Sequence, residues 1–490
     1  MNQYVILPPS ANWRSALDSK PLRALAALHR TFSKGGQPAR SLRLPAGLTI
    51  LDSIRPAGPK LIELAAGEAK ELRAARPDLE LVKRVDYRLA LAERPKVRRA
   101  FKLAVSAPSV KLSVKVTSGG APVEGASVLA FTNFERGDGD DQVTDAEGRA
   151  SFSLGGASKK LARLYIFPKR GCWGRLERNF TLRNNAVLEL DPIDLAARDG
   201  LRFRYPDAPL DAGANVRVAV LDAGVSAHKD LKVEKAVNVV TGEKADDTAD
   251  ASSEGHGTHV CGIIAARGSA PDGVRGMAPG VKLSVFRVVE QGSETVTNFA
   301  IAKGIDMAVE GKADLINLSL AGTEPDPLVR QAIERARQQG AVVIAASGND
   351  SRKPVSFPAS ESFAIAVSAM GRKGTFPANS VQAASVVEPF GKDADDFVAD
   401  FSNVGEEVDF VGPGVGIVST VEGGYAALDG TSMACPAVTG AAASLLGRNA
   451  ATLTMPRGPD RTDAILRMLA AAASSLGFEA IFEGHGLVRL

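Results

Sequence analysis

From residue 108 to about 192 the chain alternates between apolar and polar residues. Val110, Leu112, Val114 and Val116 stand against Lys111, Ser113 and Lys115, and Ala150, Phe152 and Leu154 against Ser151 and Ser153. A period of two marks strands with one buried face. Turn clusters at Ser118-Gly119-Gly120, Gly137-Asp138-Gly139 and Asp145-Ala146-Glu147-Gly148 keep these strands short, so residues 106–197 are expected to form a compact β-sandwich. Beyond residue 205 the pattern changes to predominantly apolar runs at 216–221, 283–289, 315–320 and 341–346, separated by helical stretches at 256–266, 297–309 and 327–339. Strands apolar on both faces need helices on both faces, which predicts an α/β unit with a parallel sheet over residues 198–490. Reacting groups in such sheets gather at the carboxyl ends of the strands. Residues 1–105 read as a smaller α+β unit, with strands at 4–7, 48–54, 60–64 and 79–87 and a short helix at 67–76. Residues 12–45 read as an insertion, helical at 22–28 and looped at Gly35-Gly36-Gln37-Pro38.

Composition narrows the function classes. The chain has 490 residues and a net charge of only +3, with no polybasic run and no interleaving of aromatic and basic residues, which argues against a nucleic-acid partner. Basic residues outnumber acidic ones before about residue 105, as suits a surface matched to an acidic partner face, in the same chain or in another. The first residues lack the charged and apolar regions of a secretory signal, and no run reaches transmembrane length. The expectation is a soluble protein with no membrane partner, cytoplasmic unless exported by an unconventional route. Three scattered cysteines, Cys172, Cys261 and Cys435, suit neither a disulfide framework nor structural zinc.

Four polar residues stand where an α/β sheet would expose them. Asp222 directly follows the apolar run 216–221, as either a turn cap or a reactive carboxylate. His256 and His259 lie in Gly255-His256-Gly257-Thr258-His259; the glycines around His256 let backbone approach closely and suit a side chain in a cleft, whereas His259 suits a core position. A zinc site would need a third ligand that this stretch lacks. Asn349 follows Ala345-Ala346-Ser347-Gly348, as a turn residue or an amide donor to an oxyanion. Ser432, in Gly430-Thr431-Ser432-Met433-Ala434, opens a small-residue helix, as an N-cap or as a nucleophile favoured by the helix dipole.

Taken in the order Asp222, His256, Asn349, Ser432, these stretches resemble the subtilisin-like (subtilase) serine peptidases, whose Asp, His, Ser chain order separates them from other triad enzymes. The resemblance covers residues 205–490. It implies that Ser432 attacks a peptide carbonyl, that His256 takes and returns its proton, that Asp222 orients His256, and that Asn349 with the Ser432 amide binds the oxyanion. It also implies that Ser319-Leu320-Ala321 pairs with the substrate backbone. The chain departs from the family in Cys435-Pro436-Ala437, where many relatives carry a histidine after the proline. Cys435 is expected to be a small buried hydrophobe, and His228 a surface residue.

Two further resemblances complete the expectation. Pro122-Val123-Glu124-Gly125-Ala126 and Thr144 to Ala150 are similar to transthyretin-like or carboxypeptidase-regulatory-like sandwich modules. Residues 60–88 resemble the ferredoxin-like propeptide of the subtilases, which implies that the N-terminal domain is an inhibitor and chaperone of a zymogen. A cut is expected after Tyr87, near Asp199-Gly200, or nowhere. No cofactor is required for this chemistry and no catalytic metal is implied. Structural calcium, common in the family, could draw on Asp246-Asp247 or on Asp393, Asp395 and Asp396. The alternatives to a peptidase are a catalytically quiet scaffold that grips peptides and a serine hydrolase that works mainly on esters.

Overall fold

The computed structural model describes residues 2–8, 20–34, 44–45, 47–100, 109–155, 160–322 and 324–490. The loop expected at 35–38 lies outside them. The first unit runs β1 (Asn2–Leu7), α1 (Lys20–Lys34), β2 (Thr49–Ser53), β3 (Lys60–Leu64), α2 (Glu68–Ala75), β4 (Glu80–Lys83). Its sheet is antiparallel, in the order β2-β3-β1-β4. The helix of 22–28 is not part of an insertion: α1 is the crossover that covers this sheet, because Leu25 and Leu28 of its apolar face join Ile6, Ile62, Leu64 and Leu72 in one core.

The strand expected over 79–87 divides. β4 stays with β1, but β5 (Asp86–Leu89) leaves the unit and pairs elsewhere. Arg84 and Val85 make the break, and partners on the far side of it decide the pairing, which a continuous local pattern cannot register.

Residues 99–189 contribute β6 (Arg99–Ala100), β7 (Ser109–Ser118), β8 (Ala121–Pro122), β9 (Ser127–Asn133), β10 (Asp138–Val143), β11 (Arg149–Gly155), β12 (Lys160–Phe167), β13 (Arg175–Thr181) and β14 (Ala186–Glu189). They form two sheets, β13-β12-β9-β10-β6 and β11-β7-β14 with β8 beside β7. Leu112, Val114, Val116, Phe152 and Leu154 of one sheet meet Val128, Ala130, Leu164 and Ile166 of the other, so the alternating residues do face one shared core.

The largest sheet is built from β15 (Arg217–Asp222), β16 (Lys235–Asn238), β17 (Lys282–Arg287), β19 (Leu315–Leu318), β21 (Val342–Ala346), β22 (Ala364–Arg372), β23 (Asp396–Val398) and β24 (Val408–Pro413), while β18 (Thr295–Thr297) and β20 (Leu320–Ala321) fall between these strands along the chain but outside the sheet. Its order is β16-β17-β15-β19-β21-β22-β23, with β24 also on β22. All pairs are parallel except β22 with β23. The strand expected over 315–320 is interrupted at Ser319, so that β20 can turn outward to a different partner. After the short α3 (Gly200–Arg204), helices α4 (His256–Ala265) and α7 (Thr431–Arg448) cover one face, and α5 (Asn298–Glu310) and α6 (Pro327–Gln338) the other. The molecule is thus mixed α/β, as read from its pattern. The first sheet leans its second face on α5 and α6 through Val5, Leu7 and Leu61. Ion pairs frame that contact: Lys303 with Asp52 at 2.7 Å, Arg55 with Asp306 at 2.6 Å and Arg84 with Glu290 at 2.8 Å.

Candidate active site

Asp222 ends β15 and His256 begins α4, both without solvent exposure. His256 Nδ1 lies 2.7 Å from Asp222 Oδ1. The helix start is held by side chains of the loop before it: Ser252 Oγ accepts from the His256 amide at 2.8 Å, and Asp250 Oδ2 from the amide and hydroxyl of Thr258 at 2.7 Å each. These bonds satisfy donors that a helix leaves open. Burial alone would lower the His256 pKa, but the charge and hydrogen bond of Asp222, aided by Asp250 and Glu254, outweigh it and the net shift is upward. His256 Nε2 has no partner among the described residues. An imidazole so held can take a proton on that nitrogen. His259 is a core residue: Nε2 lies 2.9 Å from the Ile417 carbonyl, and burial pushes its pKa down to about 3.

Ser432 is the second residue of α7. Pro436 lacks the N–H that would reach back four residues, and the Ser432 carbonyl accepts instead from Ser319 Oγ at 3.0 Å. Ser432 Oγ in turn donates to the Ser319 carbonyl at 3.1 Å rather than to His256. Asn349 is held by its oxygen, which accepts from the Thr431 amide at 2.9 Å and the Thr431 hydroxyl at 3.0 Å. With the oxygen so engaged, Nδ2 is buried and has no partner among the described residues. Such an orphaned donor is costly unless something negative arrives.

The chain itself occupies the cleft between these groups. β5 is the middle strand of an antiparallel sheet, with Tyr87 opposite Val296 of β18 and with Leu89 and Arg88 opposite Leu320 and Ala321 of β20. The Ala90 amide donates to the Ser319 carbonyl at 3.0 Å, and the Ala90 carbonyl accepts from the Ser432 amide at 3.1 Å. Two residues further on, the Ala92 amide donates to the Asp429 carbonyl at 3.0 Å. Gly430 permits this passage, since a Cβ there would stand 2.7 Å from the Ala90 carbonyl oxygen. Tyr87 is buried against Gly322 and Phe357, its ring centroid 6.3 Å from that of Phe357.

The structure thus brings Asp222, His256, Asn349 and Ser432 to one cleft and sets Ser319, Leu320 and Ala321 along its edge. Sequence reasoning missed Ser252, Asp250, Thr431 and the arm residue Ala90. Only the Asp250–Ser252 pair before a helix start carried a signal, that of a helix cap. His228 is half-buried rather than on the surface: its ring accepts from the Asp230 amide and meets the Gly424 carbonyl at 3.0 Å, bracing a loop. Cys435 is fully buried with its thiol 3.3 Å from the Ile344 carbonyl, and burial pushes its pKa up. Asp393, Asp395 and Asp396 surround Arg372, and Asp247 pairs with Arg287. Among the described residues no three His, Cys, Asp or Glu gather as a metal site, and no helix is long and apolar enough to cross a membrane.

Comparison with known proteins agrees with this geometry. The model of the subtilase family matches residues 213–479. Subtilisin DY of Bacillus licheniformis is 35% identical over 284 residues, which are 57% of this chain and 90% of that protein. Subtilisin Savinase of Lederbergia lenta is 37% identical over 279 residues, 56% of this chain and 89% of its own length. Subtilisin E of Bacillus subtilis (strain 168) is 36% identical over 285 residues, 57% of this chain and 65% of that protein. The chain belongs to the subtilase family and is a serine endopeptidase of the subtilisin type.

Proposed function

We propose that this endopeptidase is made as a self-inhibited zymogen whose first substrate is its own Ala90–Leu91 bond. Ser432 Oγ, turned from the Ser319 carbonyl toward His256, attacks the Ala90 carbonyl carbon while His256 Nε2 takes its proton. Asp222 holds the imidazole and stabilises its charge without being protonated. The negative oxygen is met by the Ser432 amide and Asn349 Nδ2. Collapse expels the Leu91 nitrogen, which leaves with the proton from His256. Water, deprotonated by the same imidazole, then frees the Ala90 carboxyl from Ser432. The reading needs no cofactor.

In this account residues 1–105 comprise a ferredoxin-like propeptide and its tail, 106–197 a β-sandwich and 198–490 the peptidase domain. Ser319, Leu320 and Ala321 are the strand that receives substrate backbone. The N-terminal unit is both template and inhibitor: its sheet is docked on α5 and α6, and its tail fills the cleft. The observation that carries the reading is the Ala90 carbonyl, held 3.1 Å from the Ser432 amide in a cleft also lined by Asn349, whose Nδ2 has no partner among the described residues. Labelling with a fluorophosphonate tests it. Wild type is expected to be labelled on Ser432 and to cleave an unstructured protein, and Ser432→Ala to do neither; equal hydrolysis by both would refute the assignment.

A further inference from the structure

The arm does not end at the bond presented to Ser432. Leu91 to Arg98 continue across the cleft toward the two-sheet unit, where the Arg98 amide donates to the Gly137 carbonyl at 2.9 Å. Along this path one side chain is gripped from both sides. Arg94 Nη2 lies 2.9 Å from Glu254 Oε1, and its guanidinium carbon stands 4.4 Å from the centre of the Phe167 ring. Glu254 belongs to the loop that leads into His256, whereas Phe167 ends β12 of the two-sheet unit.

Phe167 is not a loose neighbour. Its ring stacks on Tyr165 at 5.9 Å with the planes 3° apart, and Tyr165 packs edge-on to Phe131. The segment after it is fastened to the large unit: the Gly171 amide donates to the Tyr425 carbonyl at 2.8 Å, Arg170 Nη1 to the Glu422 carbonyl at 2.7 Å, and the Leu176 amide to the Asn379 carbonyl at 2.8 Å. An aromatic face fixed within the two-sheet unit and a carboxylate from the loop before His256, with Arg94 between them, make a receptor for a delocalised cation.

We propose that Glu254 and Phe167 form a binding subsite for a basic side chain, arginine above all, at the fourth residue beyond the cut bond, so that the two-sheet unit is part of the enzyme's substrate-recognition surface. The inference rests on the Ala90–Leu91 reading, for which Arg94 is the fourth residue after the cut. In the chain's own arm Arg94 fills the subsite; in other substrates an arginine at the same distance does.

Peptides copied from residues 86–95 and carrying Arg, Ala or Glu at the Arg94 position test this, assayed with wild type, Phe167→Leu, Glu254→Gln and Glu254→Arg. Because Glu254 also acts on His256 and the tethered arm competes with every peptide, the readout is the ratio of kcat/KM between peptides within one enzyme. Wild type is expected to prefer Arg over Ala by about tenfold, the sum of a partly exposed ion pair and a cation–π contact. Phe167→Leu and Glu254→Gln should each reduce that ratio to about threefold, and Glu254→Arg should favour Glu over Arg. A ratio near one in wild type, or a preference unchanged in all three variants, overturns the subsite while cleavage at Ala–Leu upholds the peptidase reading. If no peptide is cut at Ala–Leu, or Ser432→Ala cuts it equally, the Ala90–Leu91 reading fails and the subsite falls with it.

Discussion

On the amino-terminal side of Ala90–Leu91 the arm is a strand among strands: Asp86–Leu89 hydrogen-bonds to β18 on one edge and β20 on the other. On the carboxyl side it is held by the Ala92 amide, then by the guanidinium of Arg94 between Glu254 and Phe167, then by the Arg98 amide. Backbone ladders are indifferent to most side chains, so the first half selects for extended chain and, through the pocket filled by Tyr87, for one large residue. The second half depends on charge and ring geometry, and so on particular residues. Recognition before the bond is general; recognition after it is selective. The two halves also differ in fate. Once the bond is cut, Asp86–Ala90 stays by affinity alone, while Leu91–Arg98 remains tied to the chain.

The chemistry between the halves should be the most sensitive to change. Asp222→Asn is expected to lower kcat by about four orders of magnitude, because the amide fixes His256 in the wrong tautomer; steady-state hydrolysis of a peptide spanning Ala–Leu measures it. In the unaltered enzyme His256 must be neutral to act, and its pKa is raised. Activity should therefore fall with decreasing pH on a limb centred above 6.5, the ordinary histidine value; a limb below 6.5 would refute the coupling to Asp222. Next comes Asn349→Ala, with a loss of about 10²–10³ in kcat, as is seen when a side-chain oxyanion donor is removed from a subtilisin, and little change in KM.

Smaller effects separate the two halves directly. Tyr87→Ala empties a buried aromatic site worth about 3 kcal/mol, so the cleaved N-terminal piece should leave on the order of a hundredfold faster. Arg94→Ala should leave that release within about twofold, because Arg94 lies beyond the cut. The appearance of activity after processing reports both rates. Equal acceleration by the two substitutions would erase the distinction between a general and a selective half.

Much of the fold and most of the site are legible in the sequence, for definable reasons. Strands 216–221 and 341–346 are apolar on both faces, and the residues that follow them, Asp222 and Asn349, are polar where the sheet ends. Their positions follow from the pattern alone. Ser432 is legible because a glycine turn runs straight into a small-residue helix. By contrast, Arg84 and Val85 break a run whose local alternation continues, since the competing partners β18 and β20 lie more than two hundred residues further on. Helix α1 reads as an insertion because its role is set by a sheet it covers rather than by its own sequence. Ala90 carries no motif, since what marks it is the distance to Ser432. Phe167 and Glu254 belong to different units and acquire a joint meaning only when Arg94 lies between them.

The central claim is that the Ala90–Leu91 bond is the one presented to Ser432. Intact mass with N-terminal sequencing, on purified wild type beside Ser432→Ala, tests it most directly. The account predicts a new terminus beginning Leu91-Ala92-Glu93-Arg94 in wild type and an unbroken chain in the variant. A labelled, active enzyme that remains whole, or one whose first cut falls elsewhere, such as near Asp199–Gly200, would contradict it.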